Sequence, residues 1–350
     1  MRIAQIAPLY EAVPPKLYGG TERVIAHLCD ALVELGHDVT LFSSADSETN
    51  AELVAVRDQA LRLDDAPRTS DLAVHLAMLD EVRRRSREFD VLHFHVELIH
   101  FPIFEAIARR TLTTIHGRLD VKDLEDAYAR WPDFPLVAIS EDQRNSLAVG
   151  NWVATIPHGL PPQQYVFNSD PEDYLAFLGR VAPEKGPDVA IRLAQAAKRK
   201  LKMAAKVDAS DAEYFESTIR PLLGGGSVEF IGEIGDADKS KFLGKARALL
   251  FPIDWPEPFG LVMIEALACG TPVIAWNRGS VPEVIDDGVT GFIVDSEEEA
   301  LQAIARVHEL DRQRIREVFE RRFSSASMAR NYLHAYQRLI ESDNGGAVDC

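Results

Sequence analysis

Ala248-Leu-Leu-Phe251, followed after a short turn by Glu257-Pro-Phe-Gly-Leu-Val-Met-Ile-Glu265, decides the fold class of this 350-residue chain. The apolar run is typical of a buried strand, and two prolines break the chain behind it. Apolar residues at helical spacing then predict a helix from about Phe259. It ends at Gly270, a residue suited to the left-handed position after a helix. A strand joined to a helix in this way predicts a parallel α/β fold.

The two glutamates of this stretch predict a ligand site. Glu257 lies in the loop, beside the N–H groups of Phe259, Gly260 and Leu261 at the predicted start of the helix, where an anion is favoured. Glu265 is expected about two turns into the helix, where it can accept bonds from vicinal hydroxyls. Together they describe a site for a phosphorylated sugar. The alternative is that Glu257 merely favours the helix N-terminus and Glu265 is solvated.

A second segment, Tyr174-Leu-Ala-Phe-Leu-Gly-Arg180-Val-Ala-Pro-Glu-Lys185, predicts a strand that runs into a turn with two cations. An arginine binds phosphate through its planar fork, and a lysine adds a mobile point charge. In a chain of net charge −17, basic residues at such a turn indicate a local anion site. Ordinary surface charges at a turn are the alternative.

Strands and helices alternate along the whole chain, which predicts parallel sheets covered by helices. A length of 350 residues suits two domains. The predicted strands are Arg2–Ala7, Val39–Ser43, Asp90–His95, Leu112–Ile115, Leu136–Ser140, Thr155–Pro157, Tyr174–Leu178, Lys202–Val207, Ser227–Ile231, Ala248–Phe251 and Pro272–Ala275. Helices are predicted from Thr21 (as N-cap) to Leu35, over Asp71–Glu88, and from about Pro187, Asp211, Asp238, Phe259, Glu297 and Met328.

Composition excludes several classes of protein. A pI near 5.0 argues against nucleic acid as a partner, because phosphate backbones are bound by clustered Lys and Arg. Basic clusters at 83–87 and 198–202 are expected at helix ends, where they complement the dipole; peripheral contact with an anionic membrane is the alternative. Cys29 and Cys269 are predicted to be buried thiols. Without a signal peptide pattern or a bilayer-length apolar run, a cytoplasmic protein is expected.

These segments resemble the retaining glycosyltransferases of the large fourth sequence family (group 1), which have the GT-B fold. The resemblance covers nearly the whole chain. Its motifs are Leu17-Tyr-Gly-Gly-Thr-Glu-Arg-Val24, Thr114-Ile-His-Gly117, Ile156-Pro-His-Gly159, Gly179-Arg-Val-Ala-Pro-Glu-Lys185, Phe230-Ile-Gly-Glu-Ile234 and the Glu257 to Glu265 element. His158 departs from the pattern, because many relatives carry Asn in that turn, and its role stays open.

The resemblance implies an α/β, GT-B architecture of two Rossmann-like domains that face each other across a cleft. Residues 1–160 would form an acceptor-binding domain and residues 173–327 a domain that binds the nucleotide-sugar donor. Residues 161–172 would link them. A C-terminal helix at about 328–342 would pack back onto the first domain. The loop Tyr10–Tyr18 and the segment Gly117–Trp131 would shape the acceptor pocket.

The resemblance also assigns roles to the site residues. Arg180 and Lys185 would hold the donor's two phosphates and stabilise the departing diphosphate, and His116 would face the reacting side of the donor sugar. Glu257 would bind hydroxyls of the transferred sugar and Glu265 those of the ribose. The backbone contacts to the donor are assigned to Gly19, Gly20, Gly232, Ile234, Phe259, Gly260 and Leu261.

The predicted activity is metal-independent transfer of a hexose, with retained configuration, from a nucleotide-diphosphate sugar to a hydroxyl on a sugar, lipid or natural-product scaffold. No cofactor is expected. The resemblance favours a UDP-sugar over a GDP-sugar, and it fixes neither acceptor nor oligomeric state. A nucleotide-sugar epimerase of the same fold and a non-catalytic nucleotide-sugar-binding subunit are the alternatives.

Two other patterns could indicate a metal. Asp236-Ala-Asp238 is a D-x-D triplet, yet its position before a predicted helix favours N-capping by an aspartate. His93 and His95 are expected on one face of a strand, and with His116 they could form a three-histidine zinc site. The resemblance is to enzymes that need no metal, so neither pattern is interpreted as a metal site.

Overall fold

The computed structural model describes residues 1–16, 19–66 and 70–345. Leu17 and Tyr18, which belong to the predicted acceptor loop, lie outside the described residues. The chain divides into two compact units. The first contains residues 1–159 and the C-terminal segment that begins at Ser325, and the second contains residues 160–324.

The first unit is built on a seven-stranded, fully parallel sheet in the order β3-β2-β1-β4-β5-β6-β7. Its strands are β1 (Arg2–Ile6), β2 (Asp38–Ser44), β3 (Glu52–Arg57), β4 (Val91–Phe94), β5 (Thr111–Thr114), β6 (Leu136–Ala138) and β7 (Trp152–Thr155). Its helices are α1 (Gly20–Glu34), α2 (Asp71–Arg85), α3 (Phe101–Phe104), α4 (Leu124–Ala129), α5 (Glu141–Asn145) and α14 (Ser325–Gly345).

The second unit is built on a six-stranded, fully parallel sheet in the order β10-β9-β8-β11-β12-β13. Its strands are β8 (Tyr174–Arg180), β9 (Lys200–Lys206), β10 (Val228–Gly232), β11 (Ala248–Phe251), β12 (Val273–Trp276) and β13 (Gly291–Val294). Its helices are α6 (Pro187–Ala196), α7 (Ala212–Tyr214), α8 (Arg220–Leu222), α9 (Asp236–Gly244), α10 (Leu261–Ala268), α11 (Val281–Val284), α12 (Glu297–Arg306) and α13 (Arg312–Arg322).

Each unit has its own apolar core, formed where helices cover the central strands. In β4, β5 and β11 every residue is buried, as expected for parallel strands that are covered on both faces. Phe94 packs edge-on against Phe104 in the first core. Leu175, Leu250 and Ile274 belong to the second core. These cores fix the central strands, whose carboxyl ends carry most of the predicted site residues.

The structure confirms most predicted strands and corrects others. Two strands, β3 and β13, were not predicted. β3 is a half-buried strand at the edge of its sheet, so its apolar signal is weak. β13 begins at Gly291, where a Cβ would overlap the carbonyl oxygen of Val273 on β12, so only glycine fits. The prediction of Thr155–Pro157 is wrong in position, because β7 ends at Thr155.

The helix starts also needed correction. Thr21 is not the N-cap of α1: Gly19 occupies that position in an extended conformation, and the helix begins at Gly20. α10 begins at Leu261 rather than at Phe259, because Gly260 is held in the left-handed region at φ +78°. Glu265 therefore lies about one turn into the helix, not two. The C-terminal helix begins at Ser325 rather than at about Met328.

Predictions about thiols and basic clusters have mixed outcomes. Cys29 and Cys269 are free and buried, as predicted. Arg83, Arg84 and Arg85 occupy the last turn of α2 as expected. The second cluster is only partly as predicted, because residues 198 and 199 follow the C-cap of α6, whereas residues 200 and 202 belong to β9. None of the helices in the described ranges combines the length and hydrophobicity needed to cross a bilayer.

Candidate functional site

Arg180 is the last residue of β8 rather than part of the following turn. Its guanidinium forms an ion pair with Glu184 in the loop that follows, and a second one with Asp211, at 3.0 Å between Nη1 and Oδ2. The side chain is about one-third exposed, so its charge is accessible from solvent. Arg180 is thus a cation at the carboxyl end of a central strand, held by two carboxylates that an incoming anion could displace.

Lys185 and Glu257 form an ion pair that joins two neighbouring loops. Lys185 ends the short turn after β8, and Glu257 lies in the loop after the adjacent strand β11. Trp255 contacts both residues. Its indole Nε1 donates to the same carboxylate oxygen at 3.0 Å, and its ring lies 4.5 Å from the Lys185 ammonium. The structure therefore brings two predicted site residues together and adds Trp255, which the sequence interpretation missed.

Two glycines allow these loops to pack closely. Gly186, at φ +65°, has no room for a Cβ, which would overlap the carbonyl oxygen of Pro252 in the loop after β11. Gly279, at φ +54°, lies in the same way against the backbone of Glu257. Ser280 then donates from its amide to the Glu257 carbonyl at 3.0 Å and from its hydroxyl to the Phe259 carbonyl at 2.8 Å. Gly279 and Ser280 thus fix the glutamate loop.

Glu265 is buried and points toward α9. Its Oε1 accepts from the Lys239 ammonium at 3.0 Å and from the Tyr165 hydroxyl at 3.3 Å. Its side chain is only 4% exposed, whereas that of Lys239 is 15% exposed. A carboxylate has about four lone-pair sites, so these two bonds leave room for further donors. The position of Glu265 on α10 does not predict Lys239 as its partner, because Lys239 lies on a different helix, α9.

The D-x-D triplet lies in the first turn of α9. Gly235 is the N-cap of this helix, and no side chain caps it, so the predicted capping role of the aspartates is wrong. Asp236 instead pairs with Lys239 at 3.2 Å. Negative charge in a first turn still complements the helix dipole.

Gly232 and Ile234 lie at the carboxyl end of β10, the edge strand two positions away from β8. Gly232 is the last residue of the strand and has φ +84°, a conformation that favours glycine. Ile234 is half-buried in the loop that follows.

In the first unit, Gly19 and Gly20 form the entry to α1. A Cβ at Gly19 would lie 2.8 Å from the Cβ of Pro15 and 3.1 Å from an oxygen of Glu22. Close packing of the loop after β1 thus requires a glycine at position 19. Glu22 is itself a buried carboxylate, and burial raises its pKa to about 7. The sequence interpretation did not single out Glu22.

His116 follows β5, and its Nε2 lies 2.8 Å from Nδ1 of His95. The ring is partly exposed, whereas its Nδ1 is enclosed and has no hydrogen-bond partner among the described residues. Burial lowers the pKa of His116 to about 3. The ring of His158 stacks on it with centroids 5.2 Å apart. His116 is therefore a neutral imidazole at physiological pH.

His93 on β4 and His95 directly after this strand point to the same side, as predicted, with ring centroids 4.1 Å apart. Both nitrogens of His93 are bonded, Nδ1 to the Tyr336 hydroxyl at 2.8 Å and Nε2 to the Thr114 hydroxyl at 2.7 Å. Their surroundings form a hydrogen-bonded network of side chains. Within the described ranges, no group of three or more His, Cys, Asp or Glu side chains has an arrangement suited to a metal ion.

Two family models match consecutive parts of the chain. "Glycosyltransferase Family 4" matches residues 18–164, and "Glycosyl transferases group 1" matches residues 163–322. Together they span most of both units. The chain belongs to the group 1 glycosyltransferases of this family, and its two parallel-sheet units are those of the GT-B fold. This confirms the fold class and family that the motifs predicted.

Curated relatives share parts of the chain. A D-inositol 3-phosphate glycosyltransferase from Rhodococcus jostii is 36% identical over 159 residues, which is 39% of this chain and 30% of the relative. A phosphatidyl-myo-inositol mannosyltransferase from Mycobacterium leprae is 26% identical over 98% of both chains. The chain thus matches less than a third of the first relative and nearly all of the second.

Solved structures match nearly the whole chain. AviGT4, a glycosyltransferase involved in avilamycin A biosynthesis, is 25% identical and has a TM-score of 0.73, with 97% of this chain and 98% of that chain covered. HepE from Anabaena, solved with UDP and glucose, is 16% identical and has a TM-score of 0.75, with 97% and 100% covered. The latter likeness shows the fold alone.

Proposed function

We propose that this protein transfers a hexose from a nucleotide-diphosphate sugar to a hydroxyl acceptor, with retention of configuration and without a metal ion. One observation carries the proposal. Arg180 and Lys185 lie at the carboxyl end of β8, and Lys185 is paired with Glu257 in the loop after the neighbouring strand. Ligands in open parallel sheets bind beyond the carboxyl ends of the strands.

The two cations are suited to a diphosphate. The Arg180 fork can bind phosphate oxygens in a planar geometry, and the Lys185 ammonium can move to a second phosphate. In the structure both cations pair with carboxylates, Arg180 with Glu184 and Asp211 and Lys185 with Glu257. In a complex with a diphosphate, phosphate oxygens would replace these carboxylates as partners. Lys185 then leaves Glu257 free to accept hydroxyl donors from the transferred sugar.

The other predicted donor contacts follow from their positions. Glu265 has the capacity to accept from the ribose hydroxyls while it keeps its bond to Lys239. The backbone at Gly232 and Ile234 would contact the base, and the amide of Leu261 at the start of α10 favours an anion. In this proposal the second unit binds the donor and the first unit binds the acceptor, while Gly19, Gly20 and His116 keep the donor contacts that the resemblance assigns to them.

The transfer step breaks the bond between the anomeric carbon and the phosphate oxygen and forms one to the acceptor oxygen on the same face. The acceptor proton passes to the departing phosphate. Arg180 and Lys185 stabilise the negative charge that grows on this group. In this proposal Glu257 binds hydroxyls of the transferred sugar and does not act as a covalent nucleophile. Arg180 and Lys185 supply the positive charge that a metal ion supplies in metal-dependent enzymes.

The relatives narrow the substrates that we propose. HepE was solved with UDP, which favours a UDP-sugar as donor over a GDP-sugar. The two curated relatives are named for inositol-containing acceptors, and AviGT4 acts in the biosynthesis of a natural product. A polyhydroxylated ring is therefore the class of acceptor that we propose.

Calorimetric titration with UDP, GDP, ADP and dTDP in the presence of EDTA tests the donor site. We expect one nucleotide to bind, and Arg180→Ala to weaken its binding about 10-fold to 100-fold, the range for loss of a charge-assisted hydrogen bond. Lys185→Ala should act in the same direction. Arg192→Ala is the matched control, because Arg192 also bridges two carboxylates, Asp188 and Glu297, on the surface of the same unit.

The outcomes separate the alternatives. No binding of any nucleotide, or equal effects of Arg180→Ala and Arg192→Ala, would contradict the donor site. A nucleotide that binds without EDTA but not with it would contradict metal independence. Conversion of the sugar without an acceptor would support an epimerase, and tight binding without turnover of any acceptor would support a non-catalytic subunit.

A further inference from the structure

Three polar side chains form a line from the centre of the first sheet to His116. Gln5 lies on β1, His95 directly follows β4, and His116 is the second residue after β5. The distances are 2.8 Å from Gln5 Oε1 to His95 Nε2 and 2.8 Å from His95 Nδ1 to His116 Nε2. Gln5 and His95 are both buried. A connected line of buried bonds of this kind fixes which atoms carry protons.

The C-terminal helix fixes the inner end of this line. The Gln5 amide nitrogen donates to the hydroxyl of Tyr336 on α14 at 3.0 Å, so its carbonyl oxygen faces His95. The same hydroxyl lies 2.8 Å from Nδ1 of His93 and can donate to it. The Tyr336 hydroxyl then accepts from the Gln5 amide and donates to His93.

The protons follow from the donor and acceptor inventory. An amide oxygen only accepts, so Nε2 of His95 carries its proton. Burial lowers the pKa of His95 well below its usual value, so the ring is neutral. Its Nδ1 is therefore unprotonated and carries a lone pair. This lone pair accepts from Nε2–H of His116, and since His116 is also neutral, its Nδ1 is unprotonated. That Nδ1 is the enclosed atom with no hydrogen-bond partner in the described part of the chain.

We propose that Gln5 and His95 are positioning residues that hold the proton of His116 on Nε2, so that Nδ1 accepts a hydrogen bond from a hydroxyl of the bound sugar. The inference rests on the proposed function for the identity of the ligand. The reversed Gln5 amide would move the proton to Nδ1 and bury an N–H group without an acceptor, and such groups are rare in folded proteins.

The consequence is a specific role for His116. A neutral imidazole that presents a lone pair orients a hydroxyl, and it neither protonates the leaving group nor places a positive charge beside the reacting carbon. The role depends on the tautomer, and the tautomer depends on two residues that do not contact the ligand. A catalytic assignment of His116 alone would therefore miss Gln5 and His95.

The tautomer is measured directly by two-dimensional ¹H–¹⁵N NMR of the histidine rings at pH 7, with His116→Gln used to assign the His116 signals. We expect an unprotonated Nδ1 and a protonated Nε2 at His116. Gln5→Leu should let the His95 and His116 tautomers mix. A proton on Nδ1 of His116 in the unchanged protein would overturn the proposal. This readout does not depend on turnover, so it stands if the proposed function fails.

The rate of UDP release from UDP-glucose tests whether the role of His116 depends on His95. His95→Phe removes the acceptor for Nε2–H and should lower kcat about 100-fold, as a misplaced group does, with UDP affinity unchanged. His95→Asn can place an amide oxygen near the former Nδ1 and should restore part of this loss. His100→Phe is the control, because His100 is a buried histidine bonded to Thr113 outside the line. Equal losses in His95→Phe and His100→Phe, without rescue by asparagine, would overturn the positioning role.

Discussion

The backbone of Glu257 lies directly against Gly279, which has φ +54° and no space for a Cβ. A side chain at position 279 would overlap both the amide nitrogen and the carbonyl oxygen of Glu257. The glycine is therefore needed twice, once for its left-handed conformation and once for the close approach of the two loops. The position of the Glu257 carboxylate depends on a residue 22 positions later in the chain.

Gly279→Ala should lower both stability and donor turnover. The left-handed backbone costs about 1–2 kcal/mol and the overlap a similar amount, for a total of about 3 kcal/mol. Gly288→Ala is the matched control, because Gly288 has φ +71° with nothing near the position of a Cβ. Gly288→Ala should lower the free energy of unfolding only by the cost of the left-handed backbone, about 1–2 kcal/mol. Urea unfolding of both variants checks this, and equal destabilisation would contradict the close approach.

Lys239 is expected to stabilise the second unit through Glu265. Lys239→Met leaves a buried carboxylate with only the Tyr165 hydroxyl, and loss of one partner from such a pair costs about 3 kcal/mol. The double variant Lys239→Met with Glu265→Gln should regain most of this stability, since no unpaired charge remains. A double-mutant cycle by urea unfolding measures the coupling. Additive effects of the two substitutions would show that the pair is not coupled.

Sequence predicts the parts of this site that depend on neighbouring positions. Arg180 ends an apolar strand, and Lys185 and Glu257 follow such strands. Because the carboxyl ends of parallel strands meet at one edge, pattern alone indicates that these residues share an anion site. The structure pairs Lys185 with Glu257. The strand β11 and the end of its helix near Gly270 were also predictable from a short apolar run and a glycine.

The remaining parts depend on contacts between distant segments. Gly279 and Trp255 matter through the loop that they pack against, and Lys239 through a neighbouring helix. His95 and Gln5 reach His116 only because β1, β4 and β5 are adjacent. The helix start at Leu261 was missed because Gly260 adopts a left-handed conformation that a count of apolar residues does not reveal.

Arg312 should contribute strongly to the stability of the second unit. Its guanidinium donates to the carbonyl oxygens of Asn168, Ala246 and Gly244 and to the Thr271 hydroxyl, at 2.6–3.1 Å. Arg312→Met removes the donor that these four acceptors share, of which the Gly244 carbonyl keeps a bond from the Asn168 amide, and should cost about 3 kcal/mol. Arg314→Ala, which removes only an exposed pair with Glu317, should cost less than about 1 kcal/mol. Thermal unfolding of both variants distinguishes them, and similar losses would contradict the prediction.

The first unit should lose stability as the pH falls below the usual histidine pKa. Nine of the ten histidines lie in this unit, and burial lowers the pKa of His93, His95, His100, His116 and His158. The unfolded chain then binds more protons than the folded one below about pH 6.5, so stability rises with pH through this range. The second unit contains only the exposed His308.

Hydrogen exchange followed by mass spectrometry at pH 7 and pH 5, corrected for the intrinsic rates, compares the two units. Amides of β4 and β5 should lose protection at pH 5, and those of β8 and β11 should change less. The reverse pattern, or equal loss in both units, would contradict a histidine origin of the acid sensitivity.

Glu22 should act in the opposite direction. Burial, with the nearby carboxylate of Glu11, raises its pKa to about 7 from the usual 4.5. The folded protein then binds this proton more tightly than the unfolded chain, so the contribution is present below pH 4.5 and is lost as the pH rises to about 7. At 1.36 kcal/mol for each pKa unit, the loss has a ceiling of about 3 kcal/mol.

Glu22→Gln, which cannot ionise, should therefore be more stable than the unchanged protein at pH 8 and should lose that advantage at pH 5. Glu34→Gln, on the exposed side of the same helix, should change little at either pH. Urea unfolding at the two pH values measures the difference, and a Glu22→Gln effect that is the same at both would show that this carboxyl does not titrate between them.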